Sequence, residues 1–308
     1  MRRSSLLPLL ALAAAPLLFL SLRPARASAA ALPPDHDRSF AVKEQETIQK
    51  SFPMPAGAHA SLEIDNIFGS IEVVGGASRQ VELVVTKTLR AESDATLERA
   101  RKEVTLDITQ EQGALKFYVN GPFRCHCDDC RCRCEDSCGS HRDRGYSVKM
   151  DFKVQVPAEI DLQVRTVNEG RVHISNVTGS FLVRNVNGGI QMDSIAGSGS
   201  ARTVNGPVTV SFRENPRGTS EFHTINGNVE LRFAPGLGAD FRLKNFNGAI
   251  YSDFPVTALP LRDVSEERDG GKLILRADRY SRARVGAGGP EIEVENLNGE
   301  IRILENHE

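Results

Sequence analysis

The sequence predicts an all-β fold: a single-stranded β-solenoid (β-helix-like) of Asn-Gly-punctuated strand repeats, with one short helix and a Cys-rich loop insertion. Three observations predict it. SNVTGSFLV, RNVNGGIQM, DSIAGSGSA and RTVNGPVTV follow one another with glycines at 179, 188, 197 and 206, nine residues apart each time. HTINGNVEL, KNFNGAIYS and ENLNGEIRI continue the series at Gly227, Gly248 and Gly299, and DNIFGSIEV around Gly69 is an early copy. A fixed short period marks a repeat architecture.

The second observation is alternation. Two residues before the glycine stands Ile67, Val177, Val186, Ile195, Val204, Ile225, Phe246 or Leu297; two after it the residue is again apolar, Gly199 excepted. Polar residues mostly fill the places between, the period of a strand with one buried face. The third is Asn-Gly after an apolar residue, six times, at Asn120, Asn187, Asn205, Asn226, Asn247 and Asn298. Asn-Gly is a strong hairpin signal, so an antiparallel meander is the alternative. A hairpin turn at Asn187-Gly188 throws Val186 onto the opposite face. A coil that keeps its inward parity through the glycine instead buries Val186, Ile190, Val204, Val208, Ile225 and Val229 in one column. The coil is the preferred expectation, and it makes Val204→Asp costly by several kcal/mol.

In chain order, residues 1–27 read as a signal peptide. Arg2 and Arg3 precede an apolar run from Leu6 to Leu22, and Ala25-Arg26-Ala27 supplies small residues at the cleavage position. The run is short for a span of about 20 residues and holds Pro8 and Pro16, which favours cleavage over a retained anchor. Residues 28–58 read as a flexible leader. Residues 59–156 form an N-terminal β region with a helix over 93–102 and the Cys-rich loop over 121–145, and residues 157–308 carry the solenoid repeats. Ser93 is the helix cap, Asp94 lies at the positive end of the dipole, and Leu97, Ala100 and Val104 make a narrow apolar stripe suited to a connector lying on a sheet. Residues 255–290 interrupt the repeat. Arg276, Arg279, Arg282 and Arg284 there are a candidate anion face, although acids on either side favour a solvated strand and loop.

Of 38 basic residues, Arg2, Arg3, Arg23 and Arg26 lie in the signal segment, leaving 34 against 40 acidic ones and a net charge of −6. That balance argues against nucleic acid as a partner. No later apolar run is long enough to cross a membrane.

The phrasing DFKVQVPAEIDLQVRTVNEGRVHISNVTGSFLVRNVNGGIQM resembles the bacterial putative-adhesin family, a β-strand-repeat domain of unknown function. Its marks are a strand ending in Val156-Pro157, then alternating strands punctuated by Val-Asn-Gly. Upstream, SLEIDNIFGSIEVVGG, VELVVTKTL and VTLDITQEQGALKFYV match as well, so the likeness spans roughly 60–305. The resemblance implies a β-helical fold in an exported or envelope-associated protein, and some relatives belong to cell-envelope stress systems. It brings no functional residues to positions here. The chain departs from the family at its cysteines.

All six cysteines fall in CHCDDCRCRCEDSC: Cys125, Cys127, Cys130, Cys132, Cys134 and Cys138, with His126 among them and His141 beyond. An oxidising compartment favours disulfides, and six cysteines allow three bridges in fifteen connectivities. The Cys127–Cys130 spacing, with further thiolates and His126, also suits zinc or copper(I), the only cofactors the sequence points to. Both readings stay open. Alternating flanks make the stretch a loop inserted between two strands. No GxSxG elbow, HExxH pair, phosphate loop or dinucleotide fingerprint occurs. The expectation is an exported, non-enzymatic protein of the periplasm, envelope or cell surface, binding an envelope component, surface polymer or protein. A metal-handling envelope protein is the alternative.

Overall fold

The computed structural model describes residues 40–54, 60–124, 127–128, 131–132, 144–260, 265–269, 272–276 and 280–306. Two large mixed sheets, here sheet I with ten strands and sheet II with eleven, enclose one apolar core. The repeat explains how they are built. Asp161–Arg165, Phe181–Arg184, Gly199–Arg202 and Ser220–Asn226 belong to sheet II, while Val172–Ser175, Ile190–Ala196, Val208–Glu214 and Val229–Phe233 belong to sheet I. Consecutive strands therefore alternate between sheets, and each pairs in parallel with the strand two places on. Val172 lies beside Ile190 and Ile190 beside Val208, eighteen residues apart each time. The nine-residue glycine spacing is thus half a turn of the chain.

This corrects the expected single-stranded solenoid, whose all-β character and one short helix are found. A turn of eighteen residues holds two strands of four to seven residues and two corners. Each strand buries only one to four residues, so the core fills from two facing layers, a sandwich arrangement. The meander is absent from the repeats, whose neighbours are parallel. Where the spacing widens to twenty-one, the layers are joined by aromatic rings: Phe212 stacks on Phe233 at 5.1 Å, and Phe222 and Phe241 meet them edge-on.

The expected inward column is half right. Ile190, Val208 and Val229 are fully buried, but Val186, Val204 and Ile225 are only half-buried and point outward. The inward place beside them belongs to Asn185, Thr203 and Thr224. These polar side chains answer a backbone need, because a corner carbonyl facing a dry core must find a donor. Asn185 donates to the Gly170 carbonyl at 3.0 Å, Thr203 to Gly188 at 2.8 Å, Thr224 to Gly206 at 2.8 Å and Asn296 to Gly227 at 3.0 Å. At the opposite corner no such residue intervenes, and Val177 and Ile195 are buried as expected. Val204→Asp is therefore expected to lower stability by only about 1 kcal/mol, whereas Val208→Asp places an unpaired charge in the core and costs several. Chemical denaturation of the two variants measures the difference.

Outside the same corner the asparagines of Asn-Gly form a ladder. Asn187 donates to Asn168, Asn205 to Asn187, Asn226 to Asn205, Asn298 to Asn226 and Asn247 to Asn298, all at 2.7–2.8 Å. The order departs from the sequence. Glu291–Asn298 pairs with both Ser220–Asn226 and Ala239–Asn247, and Ile301–Glu305 pairs with both Val229–Phe233 and Ile250–Ser252. The last repeat in the chain is the penultimate turn of the stack.

The early copy is also a turn: Leu62 pairs with Leu162 and Ile71 with Val172, in parallel. Between these turns run the antiparallel strands Gln80–Ala91 and Tyr146–Pro157 and the helix Asp94–Glu103. Ser93 caps the helix by accepting from the Thr96 amide, and Leu97 and Ala100 face inward. The buried Lys87 ammonium donates to the Val104 carbonyl at 2.7 Å and closes its C-terminal end. Among the described residues no helix is long and apolar enough to cross a membrane.

Candidate binding surface

Cys125, His126, Cys130, Cys134, Cys138 and His141 lie outside the described residues, as do residues 1–39 with the signal segment. Cys127 and Cys132 are described as backbone alone: Cys127–Asp128 and Arg131–Cys132 form a two-residue antiparallel pair, with Cys127 opposite Cys132. Among the described residues no three His, Cys, Asp or Glu side chains gather as a metal site would need. Of the candidate anion face, Arg279 lies outside the described residues, and nothing of the Arg276 side chain is described. Arg284 is engaged by Asp240 through two hydrogen bonds of 2.7 and 2.8 Å. Those bonds tie Ser281–Val285 to Ala239–Asn247 at the sheet edge, a structural role.

Among the described residues, one surface with the shape of a binding site is the outer face of sheet II. Strand alternation puts two rows of side chains there. One runs Lys116, Glu63, Gln163, Leu182, Ser200, and the other Tyr118, Asp65, Arg165, Arg184, Arg202, His223. Two adjoining depressions of about 620 and about 60 Å³ share Glu63, Gln163 and Leu182. The larger reaches Asp161, Ser180 and Glu111; the smaller reaches Arg165 and Arg184. Together they make an open groove that is polar and carboxylate-lined at one end and basic at the other.

Its charges are unevenly satisfied. Asp65 is held by the nearly buried Arg124, which donates to its carboxylate and its carbonyl at 2.8 Å each. The same guanidinium lies 4.3 Å from the centre of the Tyr118 ring. Glu63 pairs with Lys116 at 2.9 Å, and Asp161 accepts from the Ser180 amide at 2.8 Å. None of these groups is arranged as a nucleophile with its base. What the groove offers is donors, acceptors and a cationic end.

At the far end of the same face, Tyr280 lies against Arg242, with Glu293, Glu295 and Lys244 around it. Burial, helped by the two glutamates, pushes the Tyr280 hydroxyl up to about 12. Burial would raise the Glu295 carboxyl, but the hydrogen bond from Lys244 and the nearby His223 hold it below its ordinary value. The Arg284 hydrogen bonds lower Asp240 in the same way. Carboxylates depressed in the folded state stabilise it above their unfolded value near 4, and that contribution is lost as pH falls through the folded value. The melting temperature is therefore expected to fall between pH 5 and pH 3, and less steeply in Asp240→Asn.

No protein-family model matches the chain, and no curated protein does. Solved structures match the chain at low identity. One is a putative cell adhesion protein from Clostridium sporogenes, 8% identical, covering 85% of this chain and 100% of its own, with a TM-score of 0.39. A second is a putative adhesin from Bacteroides fragilis, 8% identical over 85% and 97%, TM-score 0.35. A third is a putative lipid binding protein from Parabacteroides distasonis, 10% identical over 83% and 96%, TM-score 0.27.

Proposed function

We propose that this chain is an exported, non-enzymatic binding module of the bacterial cell envelope, with the outer groove of sheet II as its binding face. One observation carries the reading: two contiguous depressions on a rigid, ladder-braced sheet expose hydrogen-bonding and charged groups. The rest of the fold holds that face in place, each turn bonded to the next by the asparagine and carbonyl ladders. Export is supported by residues 1–27, whose charge, apolar run and small residues have the form of a secretory signal. The cysteine loop is an insertion bridged by disulfides in the exported protein. Mass spectrometry with and without alkylation tests that part, and six alkylatable thiols released by a chelator would establish a metal site instead. For the groove, Leu182→Trp fills its floor without entering the core. Envelope material retained by the immobilised wild-type chain is expected to be lost with Leu182→Trp. Equal retention by a variant that melts like the wild type would remove the groove from the function.

A further inference from the structure

Arg165, Arg184 and Arg202 stand in register on three successive parallel strands of sheet II. Neighbouring strands are about 4.8 Å apart, so the three stems form a row at that spacing. Like charges directly opposite one another destabilise a sheet, and acids from adjoining rows ordinarily relieve them. Here relief reaches only one member. Arg202 is bridged to Glu221, while Asp65 is taken by Arg124 and Glu63 by Lys116. Among the described residues, the guanidinium groups of the exposed Arg165 and Arg184 have no hydrogen bond or ion pair. They line the smaller depression, where it opens into the groove of Gln163, Asp161 and Glu111.

We propose that this groove binds an acidic glycan, with Arg165 and Arg184 holding its anionic group and the rest of the groove holding its hydroxyls. The inference rests on the groove being the binding face. A guanidinium fork matches a carboxylate bidentately, and two adjacent forks can hold one anionic sugar residue or two in succession. Beyond them, the Gln163 amide and the Asp161 and Glu111 carboxylates both suit alcohols: the amide donates and accepts, and the carboxylates accept. Half-buried Leu182 gives an apolar patch for a ring face. A single-stranded nucleic acid would need exposed rings on which to stack, and the ring in this row, Tyr118, is already covered by Arg124.

The test is calorimetric titration of the full exported chain with hexagalacturonate, maltohexaose and phosphatidylglycerol vesicles. Hexagalacturonate is expected to bind with an affinity that falls as salt rises. Arg165→Gln or Arg184→Gln should weaken it about tenfold each, as expected for one charge-assisted contact. Arg302→Gln, on the outer face of sheet I, should leave it unchanged, and Arg184→Lys should recover part of the loss. Unchanged affinity in the double glutamine variant overturns the proposal, as does vesicle binding without hexagalacturonate binding. Equal binding of maltohexaose, abolished by Leu182→Trp, overturns the acidic ligand but keeps the groove. If neither sugar binds while envelope material is still retained through the groove, the glycan assignment alone falls.

Discussion

A chain ending at residue 290 is expected to lose its cooperative folding transition. The missing strands, Glu291–Asn298 and Ile301–Glu305, are the penultimate turn of the stack, bonded on both sides in both sheets. They bury Ile292, Val294, Ile301 and Ile303, each no more than 1% exposed. At about 1.5–3 kcal/mol for each buried side chain, their removal costs about 6–12 kcal/mol. That approaches the whole stability of a typical domain, about 5–15 kcal/mol. Two strand edges, the Gly227 carbonyl that Asn296 serves and the Asn226 side chain that Asn298 serves are also left open. A melt followed by circular dichroism decides this. The spacing from Gly227 to Gly248 equals that from Gly206 to Gly227, so an intact transition would mean that the two flanking turns close directly on each other.

Gly227→Val is expected to unfold the protein under conditions in which Asn226→Ser does not. Gly227 sits directly over the corner of the previous turn, and a Cβ there would lie 2.1 Å from the Gly206 carbonyl oxygen and 2.5 Å from its carbon. Both are backbone atoms of a hydrogen-bonded stack, so no flexible side chain can yield. The φ of Gly227 lies outside the left-handed range, which makes the requirement one of space alone. The cost falls in the exceptional class above about 4 kcal/mol. Asn226→Ser removes one ladder bond given and one received on an exposed corner, about 1 kcal/mol each at most. Urea unfolding of both variants gives the comparison, and similar midpoints would exclude close approach as the reason for the glycine.

The helix and the strands on either side of it were legible because their signals are local. Ser93 next to Asp94, with Leu97, Ala100 and Val104 on one stripe, specifies a capped helix whatever it packs on. The asparagines were legible as bends but not as a ladder, since a ladder needs a neighbour at a known distance. Asn185, Thr203, Thr224 and Asn296 left a readable signal: an Asn or Thr stands three residues before each of these corner glycines. It passes for an ordinary polar place in an alternating strand until a carbonyl is found beneath it. The same ambiguity turned Val204 inward in the sequence reading and outward in the structure. The arginine row was hidden for a related reason, because Arg165, Arg184 and Arg202 are separated by nineteen and eighteen residues and meet only through strand register.

By itself the sequence determined what each nine-residue unit is: a short strand, an alternating face and a corner at the glycine. Those are properties of residues a few places apart, set by backbone sterics and by side-chain period. Tertiary structure decided how the units stack: two facing sheets, the last repeat placed between earlier turns, and the charges that find partners. Every unit offers nearly the same edge and the same apolar face, so local chemistry cannot rank their pairings. Only the closing of the whole stack, with every strand edge and corner carbonyl satisfied together, selects one order.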